Sequence, residues 1–365
     1  MTMHILHVVG ARPNFMKAAP VMRALASFDG LRQTLVHTGQ HYDTNMSEVF
    51  FQQLDIPEPD INLGAGSGSQ TWQIAQVMNS FESVALESKP DLVLVYGDVN
   101  STVATALACA KMSIPVGHVE AGLRSFDRTM PEEMNRLLTD QIADLLFTPS
   151  KDADENLMRE GISREKIHLV GNVMIDSLVH LLPKALDRWS IRRSTLNFER
   201  FGLVTLHRPS NVDHPEKIYS IMNTLADIGD LLPLVFPVHP RTRQRLQDLK
   251  LLNQNSQVHL QEPQGYLDFL GLQSHATLVI TDSGGIQEET TYLDVPCLTV
   301  RHNTERPVTL TLGTNILVGQ DMDRLKKEVR RILSGDRKQG QKIPFWDGQA
   351  ARRIADSIVS WSFRS

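Results

Sequence analysis

The chain has 365 residues, 41% of them hydrophobic and 22% charged, with a formal net charge of −5. That length exceeds what one hydrophobic core usually supports, so two domains are expected, and the composition is that of an ordinary globular protein. The charge forms no basic stripe and no run of about 18 apolar residues occurs, which argues against nucleic acid or a membrane as partner. Cys109 and Cys297 both sit in apolar contexts and are too distant to suggest a disulfide or a metal pair. A reducing cytoplasm, with no signal peptide, is the expected compartment.

His4 to Gly10 reads as a buried strand, GARPN as a turn, and Phe15 to Phe28 as a helix kinked at Pro20. A second strand runs from Leu31 to His37, then come the polar turn TGQHYD and a helix from Met46 to Leu54. GAGSGSQ, residues 64–70, is a linker or a mobile loop over a site, and its Ser69 suits the cap of a long helix to Ser88. Strands follow at Asp91 to Tyr96, Pro115 to Val119, in LLFTPS and at 167–170, each leading into a helical pattern; Pro131 opens the one that carries Glu132, Glu133, Asn135 and Arg136. This is a doubly wound parallel sheet.

Residues 181–199, charged and with few apolar positions in register, are the expected linker between a first domain at 1–180 and a second at 200–346. The second repeats the α/β alternation through FGLVTLH, LPLVFPVHP, VHLQEP, TLVITD, CLTVRH and NILVG. The amphipathic end, 347–365, is expected to pack back on the first domain.

Ligands of open parallel sheets sit outside the carboxyl ends of the strands, so the residues just past each strand carry the functional expectation. TDSGG turns from strand directly into a helix opening at Ile286, and Ser283, Gly284 and Gly285 bring free N–H groups and the positive end of a helix dipole to one place. That suits a phosphate. Glu288 and Glu289 follow, as dipole-compensating surface charge or as acceptors for ribose hydroxyls. The first strand ends in GARPN and not in G-x-G-x-x-G, which argues against NAD; Arg12 and Lys17 meet either phosphate or solvent. Asp98 and Glu120 at strand ends, with Glu132 at a helix start, are candidate acid/base groups expected to converge and repel one another. A metal triad is the less favoured reading, since no histidine pair at i and i+4 accompanies them. His207 beside Arg208, and His239 in Val-His-Pro-Arg, end strands of the second half. Ser283 lacks the G-x-S-x-G elbow of a hydrolase nucleophile.

Nine segments in order, GARPNFMKAAP (10–20), TGQHYD (38–43), VYGDVNST (95–102), PVGHVEAGLRS (115–125), MPEEMNR (130–136), GNVMIDS (171–177), PVHPR (237–241), TDSGGIQEE (281–289) and TERPV (304–308), resemble the non-hydrolysing UDP-N-acetylglucosamine 2-epimerases. The resemblance implies two facing Rossmann-like doubly wound domains, GT-B-like, with the active site in the interdomain cleft. It assigns catalysis to Asp98, Glu120, Glu132 and His207, and UDP-sugar binding to Arg12, Lys17, Arg136, Arg208, His239, Ser283, Gly284, Gly285, Glu289 and Arg306, with Glu289 on the ribose. It also implies a homodimer, no cofactor, no metal, and an activator site for a second sugar nucleotide near Gln40, His41, Gln70 and His239. Two departures leave the sugar open: the short loop SFDRTM (125–130), and Pro209-Ser210-Asn211 after Arg208. Related branches act on UDP-2,3-diacetamido sugars, and a hydrolysing epimerase, a GT-B glycosyltransferase and a catalytically silent sensor are the other readings.

Overall fold

The structure is a computed structural model that describes residues 2–39, 51, 55–195, 197–252 and 255–362. Contacts divide it into two compact units, Met1–Leu178 with Pro344–Ser365, and Val179–Ile343. The helix expected from Met46 to Leu54 lies, apart from Phe51, outside the described residues.

The first unit holds a seven-stranded parallel sheet of β1 (Met3–Val9), β2 (Leu31–His37), β3 (Ile61–Asn62), β4 (Leu92–Tyr96), β5 (Val116–Val119), β6 (Leu145–Thr148) and β7 (Ile167–Leu169), in the order β3-β2-β1-β4-β5-β6-β7. Its central strands are mostly apolar because helices cover both faces: Leu6, Val8, Val93, Val95 and Leu146 are all buried. The crossovers include α1 (Arg12–Leu25), which runs through Pro20, α2 (Gln70–Ser88), α3 (Asn100–Lys111), α4 (Pro131–Ile142) and α5 (Lys151–Arg159). Ser69 caps α2, its hydroxyl accepting from the Trp72 N–H at 3.3 Å.

The stretch expected as a linker is mostly helix. α6 runs from Val173 to Arg192. Its charges mask a buried stripe, Leu181, Ala185 and Trp189, at four-residue spacing, and Trp189 stacks on His275 with ring centroids 4.8 Å apart. Arg188 adds a two-pronged bond to Asp268, at 2.9 and 2.7 Å.

The second unit holds β8 (Gly202–Thr205), β9 (Leu234–Pro237), β10 (Val258–Gln261), β11 (Leu278–Thr281), β12 (Cys297–Thr299) and β13 (Asn315–Leu317), all parallel, in the order β10-β9-β8-β11-β12-β13. Among its helices are α7 (Pro209–Val212), α8 (Pro215–Gly229), α9 (Pro240–Asp248), α10 (Tyr266–His275), α11 (Gly284–Tyr292), α12 (Pro307–Thr311) and α13 (Met322–Leu333). The last helix, α14 (Ala350–Ser362), belongs to the first unit, where Asp176 accepts the Ala350 and Ala351 N–H groups at its start, at 3.1 and 2.7 Å.

Strand order reverses between β1 and β4 in one unit and between β8 and β11 in the other. Side chains past the carboxyl ends of those two pairs therefore have open space in front of them. No helix among the described residues is long and apolar enough to cross a membrane.

Candidate active site

At the first switch point α1 delivers Lys17 and the turn after β4 delivers Gly97 and Asp98. The Lys17 ammonium lies so close over Gly97 that an added Cβ there would sit 2.6 Å from Nζ, which is why this position, at φ +66°, takes glycine. Lys17 reaches the Glu120 carboxylate at 2.8 Å, and both side chains are buried. Glu120 itself has φ +75°, a left-handed backbone that costs a residue with a Cβ about 1 kcal/mol or more. Two bonds hold it there, the Glu120 and Ala121 N–H groups donating to the Phe147 carbonyl at 3.1 and 3.0 Å.

Asp98 pairs with the Arg136 guanidinium, and the Asn135 amide donates to its carbonyl at 2.9 Å. The expected mutual repulsion of the acids gives way to alternation of charge, since a lysine stands beside Glu120 and an arginine beside Asp98. Glu132 is exposed in the first turn of α4, and its side chain makes no ion pair or hydrogen bond among the described residues. Its neighbour Glu133, absent from the expected set, is buried and braces the site: it binds Arg136 at 2.7 Å and accepts the Ser125 and Phe126 N–H groups, each at 2.9 Å. Burial alone would raise its pKa, but the Ser125 N–H and the Arg136 guanidinium outweigh that and lower it.

A second tier lies beneath. His118 on β5 is fully buried, with Nδ1 2.6 Å from the Asp140 carboxylate and Nε2 2.8 Å from the Gly97 carbonyl. Both partners are acceptors, so the ring is held at each of its nitrogens. Asp140 also takes the Gly122 N–H at 3.0 Å and Arg124 at 2.7 Å; burial works against its ionisation, yet the charges of His118 and Arg124 hold its pKa down. One buried network thus supports the turns carrying Asp98 and Glu120. The segment GHVEAGLR contained three of its members, and only their periodicity within and after β5 could have flagged them.

At the second switch point α11 begins at Gly284, two residues earlier than expected, so both glycines lie in the first helical turn. Ser283 at the N-cap makes no side-chain capping bond, which leaves first-turn N–H groups without that partner. Asp282, fully buried, binds the His207 ring at 3.0 Å and the Arg208 N–H at 2.9 Å, placing both basic residues beside the helix start. His239 caps α9 and its ring lies 6.2 Å from that of His207. Its pKa is lowered by burial and by the charges of His207 and Arg241.

Arg306 and Glu288, on α11, meet at 2.9 Å, and Arg306 also pairs with Glu305, which binds Arg301 at 2.7 Å. Glu288 and Glu289 are buried and so are not surface charge. Glu289 accepts from the Tyr266 hydroxyl at 2.9 Å and, with the Gln273 amide oriented to satisfy both its ends, from that nitrogen at 3.0 Å. Burial pushes its pKa up to about 7 against those two bonds. Arg12 opens α1 and is half-buried, Gln70 opens α2 and is exposed, and Gln40 and His41 lie outside the described residues. Among the described residues no three His, Cys, Asp or Glu side chains group to hold a metal ion.

Two parallel α/β units, one with carboxylates and one with a basic helix start at the switch point, match a known family over nearly the whole chain: the profile of UDP-N-acetylglucosamine 2-epimerase covers residues 23–359. The chain belongs to the UDP-N-acetylglucosamine 2-epimerase family. The family's members are carbohydrate epimerases. It is 43% identical to the UDP-N-acetylglucosamine 2-epimerase of Methanococcus maripaludis, over 96% of this chain and 97% of that one. It is equally 43% identical to the UDP-2,3-diacetamido-2,3-dideoxy-D-glucuronate 2-epimerase of Pseudomonas aeruginosa, over 98% and 99%. The crystal structure of the Methanocaldococcus jannaschii epimerase in complex with UDP-GlcNAc and UDP superposes with a TM-score of 0.90 at 41% identity, covering 98% of this chain and all of that one. The GT-B-like fold expected from the sequence is therefore the fold of the family.

Proposed function

We propose that this member of the family interconverts UDP-N-acetylglucosamine and UDP-N-acetylmannosamine at C2, by elimination of UDP to a 2-acetamidoglucal and re-addition. The observation that carries the reading is the 0.90 superposition on an epimerase holding UDP-GlcNAc and UDP, in a chain that retains carboxylates at one switch point and an uncapped helix start at the other. The C2 hydrogen is not next to a carbonyl, so positive charge must first develop at C1. As the C1–O bond breaks, its electron pair leaves with the β-phosphate, which the α11 N-terminus, Arg208 and Arg306 receive. A carboxylate among Asp98, Glu120 and Glu132 takes the C2 proton, and the C–H electrons form the C1–C2 double bond. Re-addition reverses these steps with the proton delivered to the other face. Lys17 and Arg136 orient their partner acids, and Glu289 receives the ribose hydroxyls.

A cytoplasmic homodimer, with a second UDP-sugar as activator near Gln70 and His239, belongs to the same reading. The 43% identity to the diacetamidoglucuronate enzyme supports a second one, in which the same chemistry acts on a UDP-2,3-diacetamido sugar. The test is incubation in D2O with UDP-N-acetylglucosamine alone, followed by NMR. Deuterium at C2 of UDP-N-acetylmannosamine, with UDP still attached, is expected. Protium retained at C2 overturns the elimination route, and UDP released in step with free N-acetylmannosamine makes the enzyme a hydrolysing one. No turnover directs the same experiment to the diacetamido substrates.

A further inference from the structure

We propose that Asp282 is a positioning residue of this reaction: its buried carboxylate keeps the proton of His207 on Nδ1 and so presents Nε2 to the sugar nucleotide as a hydrogen-bond acceptor. The inference rests on the substrate class proposed above, but its central observation does not need a substrate.

The geometry comes from the pairing of β11 with β8, which sets Thr281 opposite Thr205 and brings the residue after β11 beside the end of β8. Asp282 is fully buried there. One carboxylate oxygen lies 3.0 Å from His207 Nδ1; the other accepts the His207 N–H at 3.0 Å, the Arg208 N–H at 2.9 Å and the Asn211 amide at 3.0 Å. An ionised carboxylate has no proton to give, so Nδ1 must supply the one between them. The ionised form holds because, although burial raises the Asp282 pKa, the hydrogen bond and charge of His207 and the bonds from Arg208 and Asn211 lower it further. With Nδ1 committed, Nε2 is the free edge of a ring whose side chain is 44% exposed.

The surroundings make that choice consequential. The other titratable groups facing His207 are basic: the His239 ring at 6.2 Å, with its Nδ1 accepting the Arg241 N–H, and Arg208, whose Nε donates to the Asp282 carbonyl. Asp282 is, among the described residues, the carboxylate within ion-pair distance of the ring. It also directly precedes Ser283 and the helix start. A single carboxylate therefore fixes both the tautomer of His207 and its place relative to the α11 N-terminus, the logic by which a buried acid orients a catalytic imidazole.

The experiment is NMR of the protein labelled with 15N-histidine, the His207 signals being assigned by their loss in His207→Gln. A neutral ring with a pyrrole-type Nδ1 and a pyridine-type Nε2 is expected; the opposite tautomer overturns the proposal. Asp282→Asn would turn an amide N–H toward Nδ1 and move the ring proton to Nε2, lowering kcat by about 10²-fold. Asn211→Ala removes a donor from the same carboxylate without touching the ring, so it is expected to lower the thermal midpoint and leave the tautomer in place. If Asn211→Ala changes the tautomer as Asp282→Asn does, the role of Asp282 is only structural. Should Asp282→Asn not fold, the labelled wild type decides the matter. Because the tautomer is read without substrate, failure to turn over a UDP-sugar would refute the proposed reaction and leave this result standing.

Discussion

Lys17 and Glu120 form a buried ion pair, Nζ to Oε2 2.8 Å, at the point where the first sheet changes direction. Removing one member leaves the other charged and desolvated, a loss of about 3 kcal/mol. Lys17→Met and Glu120→Gln should each show that loss by urea unfolding, whereas the double variant, with neither charge, should recover most of the stability and none of the turnover. Losses that simply add in the double variant would show that the two do not act as a pair.

Glu132 is the cleanest probe of acid/base chemistry, because it is exposed and carries no ion pair among the described residues. Glu132→Gln costs only its favourable place at a helix N-terminus, about 0.5 kcal/mol, so the thermal midpoint should hardly move while turnover falls by about 10². Wild-type turnover would take Glu132 out of the reaction. Asp98→Asn is a poorer test, since it strips Arg136 of a partner in a buried network.

The difference between Glu132 and its neighbour shows what the sequence could and could not reveal. Apolar runs and polar turns placed the strands of both sheets except the two-residue edge strand β3, because a parallel strand covered on both faces is mostly apolar. Strand-end positions then pointed to Asp98, Glu120 and His207. Glu133, Asp140 and Asp282 escaped notice because their work is done across the fold: Glu133 meets the 125–126 turn, Asp140 meets β5, and Asp282 meets the end of β8. Charge misled in the other direction at 181–199, where Arg, Lys and Asp outnumber the buried stripe that makes most of this stretch a helix.

The two glycines that open α11 should behave differently. A Cβ on Gly284 would lie 2.6 Å from Glu305 and 2.7 Å from Arg306, inside a buried ion cluster, whereas one on Gly285 meets nothing within 4 Å. Gly284→Ala should therefore lower thermal stability and UDP affinity together. Gly285→Ala should leave the fold intact or slightly firmer and weaken UDP by about 1–2 kcal/mol, the worth of a charge-assisted hydrogen bond or two. Calorimetry giving an unchanged Kd for Gly285→Ala would place the phosphate elsewhere.

Glu289 should make both stability and nucleotide binding depend on pH near neutrality. Burial raises its pKa from 4.5 to about 7, so its contribution to stability is fully present below 4.5 and is lost as pH rises through about 7. The loss is at most about 3 kcal/mol, reached when the carboxylate is ionised in the folded protein. Glu289→Gln keeps the size and the Tyr266 contact but cannot ionise, so its thermal midpoint should gain on the wild type from pH 5 to about pH 7 and level off above that. A gap that stays flat over that range would mean that Glu289 ionises as an ordinary carboxyl. Ribose hydroxyls donating to this carboxylate would favour its ionised form, so UDP binding at pH 6 should release a proton from Glu289. The terminal phosphate of UDP titrates near pH 6 as well, and subtracting the proton release measured with Glu289→Gln removes that part. A wild-type excess of released protons in calorimetry then places the ribose on Glu289, and equal release from the two proteins removes it from there.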